Sequence, residues 1–284
     1  MKKKLTIPVF VVQLLLVFWA LIQLYPLFFM LSSSLKETGE IVAHPFALPT
    51  HFEFQNYVTA WLGNSGTATA AYNMKQFFFN SIEITAISLL LLSIVTMLAG
   101  YALARFKFPG YKFIYVFITC MTVIPVQALI VPIFLMVQSW GGLNKIVSMI
   151  PLMVAFNLPM SITIAKTNFE ALPYAIEEAA YIDGCSKFKA FWNIALPMCR
   201  GTVATITIVN LTYTWSEYMY ASVLLMLPKA RTLPVAVSMF NTNMYNTTLG
   251  PLMAGLSIAS IPLLIAYFVF QKQIVKGIAI GSIK

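Results

Sequence analysis

The sequence predicts an all-α integral membrane protein of six spans, and three observations predict it. Hydrophobic residues make up 60% of the 284 and charged residues only 10%, with a mean hydropathy of +0.82. A soluble chain carries about 25% charged residues to keep its surface in water, and here the polar residues are too few for such an exterior. Six stretches also reach the roughly 20 apolar residues that a helix needs to cross a bilayer core: residues 7–31, 81–104, 113–137, 146–165, 203–226 and 252–270. Finally, the lysines and arginines fall in bands between these stretches rather than along one basic stripe.

The first stretch follows Lys2, Lys3 and Lys4, as a secretory signal does, but its apolar run is too long and Leu31-Ser32-Ser33-Ser34 is a poor cleavage site. It is expected to be a retained helix. Residues 32–80 form a segment rich in turn formers and aromatics. Pro125, Pro132, Pro151, Pro159 and Pro262 lie within the later stretches. Proline removes a backbone donor and kinks a helix, and in a bundle neighbouring helices cover the freed carbonyls. All six stretches are therefore expected to span, within one membrane domain covering residues 1–284.

Orientation follows from the cytoplasmic bias of Lys and Arg. With both termini inside, the inner segments hold Lys2, Lys3, Lys4, Arg105, Lys107, Lys112, Lys166, Lys187, Lys189, Arg200, Lys272, Lys276 and Lys284, which is 13 of the 18 basic residues. The outer segments hold Lys36, Lys75, Lys145, Lys229 and Arg231, the remaining 5. This places 32–80 outside and makes 168–200 the longest cytoplasmic loop.

Several function classes are disfavoured. The net charge of +9 lacks the basic stripe of a nucleic-acid binder. Cys120, Cys185 and Cys199 show neither disulfide pairing nor metal spacing, and His44 and His51 have no further ligands nearby, so no metal site is expected. The chain has no Gly-x-x-x-x-Gly-Lys-Ser/Thr phosphate loop. No cluster of nucleophile and base lies in the spans, so no catalytic residue is assigned and no enzyme is expected.

The strongest local signal is in the 168–200 loop. Pro173 suits the first turn of a helix, Glu177 and Glu178 sit where a helix dipole favours anions, and Gly184 can end that helix in a left-handed cap. A second helix is expected from Ser186 to just before Pro197. Small Ala179 and Ala180 would let another protein approach closely. The plain alternative is a simple connector between two spans.

Glu178-Ala179-Ala180, then Gly184 after three residues and Ile194-x-Leu196-Pro197 after nine more, resembles the EAA loop of binding-protein-dependent ABC importer permeases. Further similarities narrow it to the carbohydrate type: Ser34-Leu35-Lys36 with Glu40-Ile41 and Pro45-Phe46, Asn80-Ser81, residues 99–110 ending Arg105-Phe-Lys-Phe-Pro-Gly110, Ile124-Pro125, Gly142-Leu143-Asn144, Thr232-Leu233-Pro234, and the tail from Gln271 to Lys284. Six helices with a short outer segment resemble the smaller permease subunit of maltose-type importers. The resemblance implies a six-helix type I ABC importer transmembrane domain for a sugar or oligosaccharide. It implies ATPase-coupling contacts by Glu178, Ala179, Ala180, Asp183, Gly184, Ile194, Leu196 and Pro197. It also implies a larger partner permease, two copies of an ATPase subunit that use ATP and Mg while this chain binds no cofactor, and an extracytoplasmic solute-binding protein. The expected location is the prokaryotic inner membrane, embedded in lipid, with cytoplasmic termini and no nucleic-acid partner.

Two regions are candidates for the substrate path and the binding-protein contact. The fifth stretch carries Thr214-Trp215-Ser216-Glu217-Tyr218, where such families more often have asparagine at position 216. Buried charge is expensive in a membrane, costing roughly 2.5–3.5 kcal/mol on insertion scales, and faces protein or water. Tyr213, Trp215, Glu217 and Tyr218 therefore offer either sugar contact or, for Glu217, a structural hydrogen bond between helices; the aromatics also suit an interface belt. Glu83, the other acid in the spans, is expected near the outer interface. Asn241, Asn243 and Tyr245, in the polar stretch 238–249, are candidate binding-protein contacts or plain loop residues. Within the same class the alternative is an importer of another solute such as a glycerol phosphate. Outside it, an ion-coupled transporter would need inverted repeats or paired intramembrane charges, which the sequence does not display.

Overall fold

The computed structural model describes residues 7–63, 74–240 and 249–281, and among them there are helices and turns but no strand. They fall into two compact units where the sequence suggests one domain. The first comprises the described residues up to Lys75 together with those of Ala236–Ile261, the second those of Gln76–Val235 and from Pro262 onward.

In the first unit, α1 (Ile7–Ser33) is apolar on every side, and every side chain from Phe10 to Phe28 is exposed within this chain. Such a helix is suited to a lipid or protein surround rather than to water. After α1 the chain folds tightly through α2 (Thr38–Ala43) and α3 (Gln55–Leu62). The Nδ2 of Asn56 donates to the carbonyls of Ser34 (3.0 Å) and Lys36 (2.9 Å). The Ser34 hydroxyl lies 2.7 Å from that of Tyr57, and Lys36, fully buried, donates to the His44 carbonyl at 3.1 Å.

The second unit is organised by α4 (Met74–Arg105), whose last thirty residues belong to it. The third apolar stretch is not one helix. It runs as α5 (Tyr111–Cys120), two short 3-10 turns and α6 (Ile130–Ser139), with a bend of 90°. Pro125 has no N–H and its ring pushes Ile124 out of the helical region, and both residues are extended there. The hydroxyl of Tyr220 donates to the Val126 carbonyl just after the break. By contrast α7 (Met149–Glu170) carries Pro159 internally and stays continuous. Gly100 of α4 lies so close to α7 that a Cβ there would stand 2.6 Å from the Ala165 Cβ.

The loop after α7 forms α8 (Tyr174–Ile182), α9 (Lys187–Ala190), a π turn (Phe191–Ala195) and α10 (Leu196–Met198). Pro197 cannot donate to the carbonyl four residues back, and the helix widens there: the Leu196 N–H reaches Phe191, five residues back. A bend of 70° leads into α11 (Arg200–Trp215). The fifth stretch, expected as one helix over 203–226, stops at Trp215 and resumes as α12 (Met219–Leu224). The Glu217 carboxylate causes this restart by accepting from the N–H groups of Tyr220 (2.7 Å) and Ala221 (2.9 Å), an N-terminal cap supplied from just before the helix. The chain continues through α13 (Leu233–Phe240) and α14 (Leu249–Gly281). Among the described residues four helices are long and apolar enough to cross a membrane alone, and up to six spans result when each bent pair counts as one.

Candidate functional site

The site is the helix–turn–helix knob of α8 to α10 and its anchorage. Pro173 opens α8 and the chain leaves it in a left-handed cap. Gly184 sits at φ 83°, its N–H bonds to the Tyr181 carbonyl at 3.1 Å, and the Cys185 N–H reaches Ala180 at 2.9 Å. These two bonds are the Schellman pattern, which needs a residue free to adopt positive φ. Ser186 then caps α9, its hydroxyl accepting from the Lys189 N–H at 3.3 Å.

Consecutive residues on a helix point about 100° apart, so the adjacent glutamates face different ways. Glu178 is exposed, together with Ala179, Asp183 and Gly184. Glu177 turns inward. Its Oε1 meets Arg105 Nε at 2.7 Å, with the two side chains only 2% and 7% exposed. Its Oε2 accepts from the Tyr101 hydroxyl at 2.8 Å, and the Tyr181 hydroxyl stands 3.5 Å away. Arg105 also donates to the Leu172 carbonyl at 3.0 Å. Tyr101 and Arg105 are four residues apart on one face of α4. The carboxylate is therefore held by charge-assisted bonds on both oxygens, which a buried ion requires.

Aromatic packing encloses this ion pair. The Tyr101 ring lies 5.7 Å from Phe106, 5.3 Å from Phe169 and 4.9 Å from Phe191. Met97, Ala165, Ala195, Cys199 and Ile206 complete the buried cluster, so α4, α7, the π turn and α11 converge where α8 is tied down. Of the coupling residues inferred from sequence, Ala180 is buried and Ile194, Leu196 and Pro197 are half-buried, with Leu196 packed on the aromatic cluster. The exposed surface of the knob also carries Ile182 and the stacked pair Phe188 and Trp192. The sequence reading placed Glu177 only in the dipole of its helix and Arg105 only in a motif, and it missed that they join.

The candidate substrate residues are not gathered by the fold. Trp215 is buried against Phe78, with ring centroids 5.8 Å apart, while Tyr213 and Tyr218 are exposed. Glu217 spends both oxygens on the α12 cap, and the cavity beside it, lined by Thr85, Met153 and Trp215, has a volume of about 10 Å³, room for one water. Glu83 is exposed. Asn241, Asn243 and Tyr245 lie outside the described residues. Among the described residues no group of three or more His, Cys, Asp or Glu is placed to hold a metal ion.

The profile of the family described as binding-protein-dependent transport system inner membrane component matches residues 96–280, which include Tyr101, Arg105 and the whole knob. The chain belongs to this family. It is thus an inner-membrane permease component of a binding-protein-dependent ABC importer, working with a partner permease, an ATPase and a solute-binding protein. It is 33% identical over 271 residues to a diacetylchitobiose uptake system permease protein of Streptomyces coelicolor, covering 95% of this chain and 87% of that one. It is 29% identical over 267 residues to a probable starch degradation products transport system permease protein of Thermoanaerobacterium thermosulfurigenes, covering 93% of each. Its fold matches, with a TM-score of 0.79 at 23% identity over 93% of this chain and 95% of the other, a chain in the crystal structure of a bacterial ABC transporter involved in import of the acidic polysaccharide alginate. This permease family transports solutes, in keeping with the absence of a phosphate loop in the sequence.

Proposed function

We propose that this permease forms half of a translocation pathway for a sugar or oligosaccharide and that α8 is its coupling helix, seated on a cytoplasmic ATPase. The naming of its relatives for diacetylchitobiose and starch degradation products supports the substrate class. The basic-residue bands support cytoplasmic termini and a cytoplasmic knob. The observation that carries the coupling role is the division of labour on α8: Glu178, Ala179 and Asp183 face outward, while Glu177 fastens the same helix to α4 through Arg105.

In this reading two ATPase subunits close on ATP, one displacing α8 and the other the matching loop of a larger partner permease. The Glu177–Arg105 pair is short, charged and dry, so α8 cannot slide far along α4 without exposing a buried ion. Movement of the knob therefore draws α4 with it and, through the aromatic cluster, α7 and α11. The cavity opens outward to receive solute from a binding protein and resets inward after hydrolysis. This chain transmits the stroke and performs no covalent step.

Replacing exposed Ala179 by tryptophan tests this reading without touching the buried anchor. The importer should still assemble its two permeases, but the ATPase should be lost on purification or hydrolyse ATP without uptake. Unchanged association and unchanged uptake per ATP would remove α8 as the coupling helix. Uptake assays with labelled chito- and malto-oligosaccharides against glycerol phosphate test the substrate class.

A further inference from the structure

Between α4 and the chain entering α11 lies an open apolar cleft of about 460 Å³. Buried Met97 and Phe191 form its floor, Leu98 of α4 and Val203 of α11 its walls, and Trp192 and Arg200 its rim. Its position has three features that together specify an occupant. Leu98 and Ser93, at its two ends along α4, precede Arg105 by seven and twelve residues, which is about 10 and 18 Å of helix. That depth matches one leaflet of a hydrocarbon core about 30 Å thick. The opening is apolar, as an acyl chain needs. Among the described residues the only charged one on it is Arg200, which is exposed and forms neither of the ion pairs found there. Of the acids in and beside the knob, Glu177 is held by Arg105 and Glu170 by Lys166, while Glu178 and Asp183 are exposed.

We propose that this cleft binds one acyl chain of an anionic phospholipid, with the headgroup phosphate on Arg200. A guanidinium matches phosphate oxygens with paired donors, and basic pockets between membrane helices select acidic headgroups. Trp192 supplies the amphipathic ring that favours the headgroup level. A zwitterionic lipid would bring its own cation to Arg200 and lose part of that attraction. The site does not depend on the coupling role of α8, and the test below is done in detergent, where leaflet and orientation do not enter.

The importer complex, purified from native membranes and delipidated, is mixed with equal phosphatidylglycerol and phosphatidylcholine, and retained lipid is counted by native mass spectrometry. The wild type should hold phosphatidylglycerol about fivefold over phosphatidylcholine, the worth of one interfacial cation against an acidic headgroup. Arg200→Gln should abolish that preference, and Val203→Trp, which fills the cleft, should lower retention of both lipids. Phosphatidylglycerol with brominated chains should quench a fluorescence component that Trp192→Phe removes, which localises the lipid even if one variant assembles poorly. Equal retention of the two lipids, or a preference that survives Arg200→Gln, overturns the proposal. So does crosslinking of the partner permease by a thiol-attached photo-crosslinker on Ile94→Cys, which would make the cleft a protein interface.

Discussion

Glu177 and Glu178 are neighbours in sequence with opposite surroundings, and substitution should separate them. Glu177→Gln leaves Arg105 charged and buried without its counter-ion, and removing one partner of such a pair costs about 3–5 kcal/mol. Arg105→Gln should do the same, and the double variant should recover much of the loss because no orphan charge remains. Thermal unfolding of the purified importer checks this, and additive losses would mean the two side chains are not coupled. Glu178→Gln, on an exposed carboxylate, should leave the unfolding temperature in place and act only on ATPase association. Glu217 makes a second residue-scale prediction. Because it caps α12, Glu217→Gln should keep one acceptor and most of the function, whereas Glu217→Ala should lose about 1–2 kcal/mol with the KM for uptake unchanged. A KM rise with glutamine, at unchanged stability, would instead favour substrate contact.

The helices show which local rules were strong enough to stand alone. Gly184 and Ser186 act through bonds within a few residues, so the end of α8 and the start of α9 can be read directly from sequence. The breaks in the third and fifth stretches were less legible. Pro125 breaks its helix by 90° while Pro159 leaves α7 continuous, a difference that the residue type alone does not encode; after the first break the Tyr220 hydroxyl of another element takes the Val126 carbonyl. The separation of α4 and α7 is likewise a property of the pair. Gly100→Ala should force the helices apart and destabilise by about 1–3 kcal/mol, as overpacking does, and Ala165→Gly in the same chain should restore part of it. Unfolding temperatures of the two single variants and the double variant decide this; failure of rescue would mean the backbone at Lys166, 3.1 Å from the built Cβ, sets the spacing.

For the whole molecule, a hydrophobic fraction of 60% already excludes a water-soluble fold, because composition limits the area that can face water. Local patterns likewise suffice for the apolar stretches, the basic bands and the EAA loop with its glycine cap, since each depends on residues close in sequence. Some motif residues could be recognised but not explained until the chain was folded. Asn80 donates to the carbonyls of Lys229 and Arg231 at 3.0 and 2.8 Å, and Ser81 accepts from the Leu233 N–H, which fastens the start of α4 to a loop some 150 positions away. Asn144 similarly receives the Leu227 N–H at 2.7 Å. The same holds for the anchor of the knob. Two adjacent glutamates on a short helix had to diverge, and the inward one needed a cation, but the sequence offers many cations and no rule of local spacing selects Arg105 across 72 residues. The sequence by itself determined the membrane class, the apolar stretches and the family. Only the tertiary structure decided which glutamate is buried, which stretches break and where an apolar cleft stays open, because these depend on partners distant in the chain that only packing brings within hydrogen-bond reach.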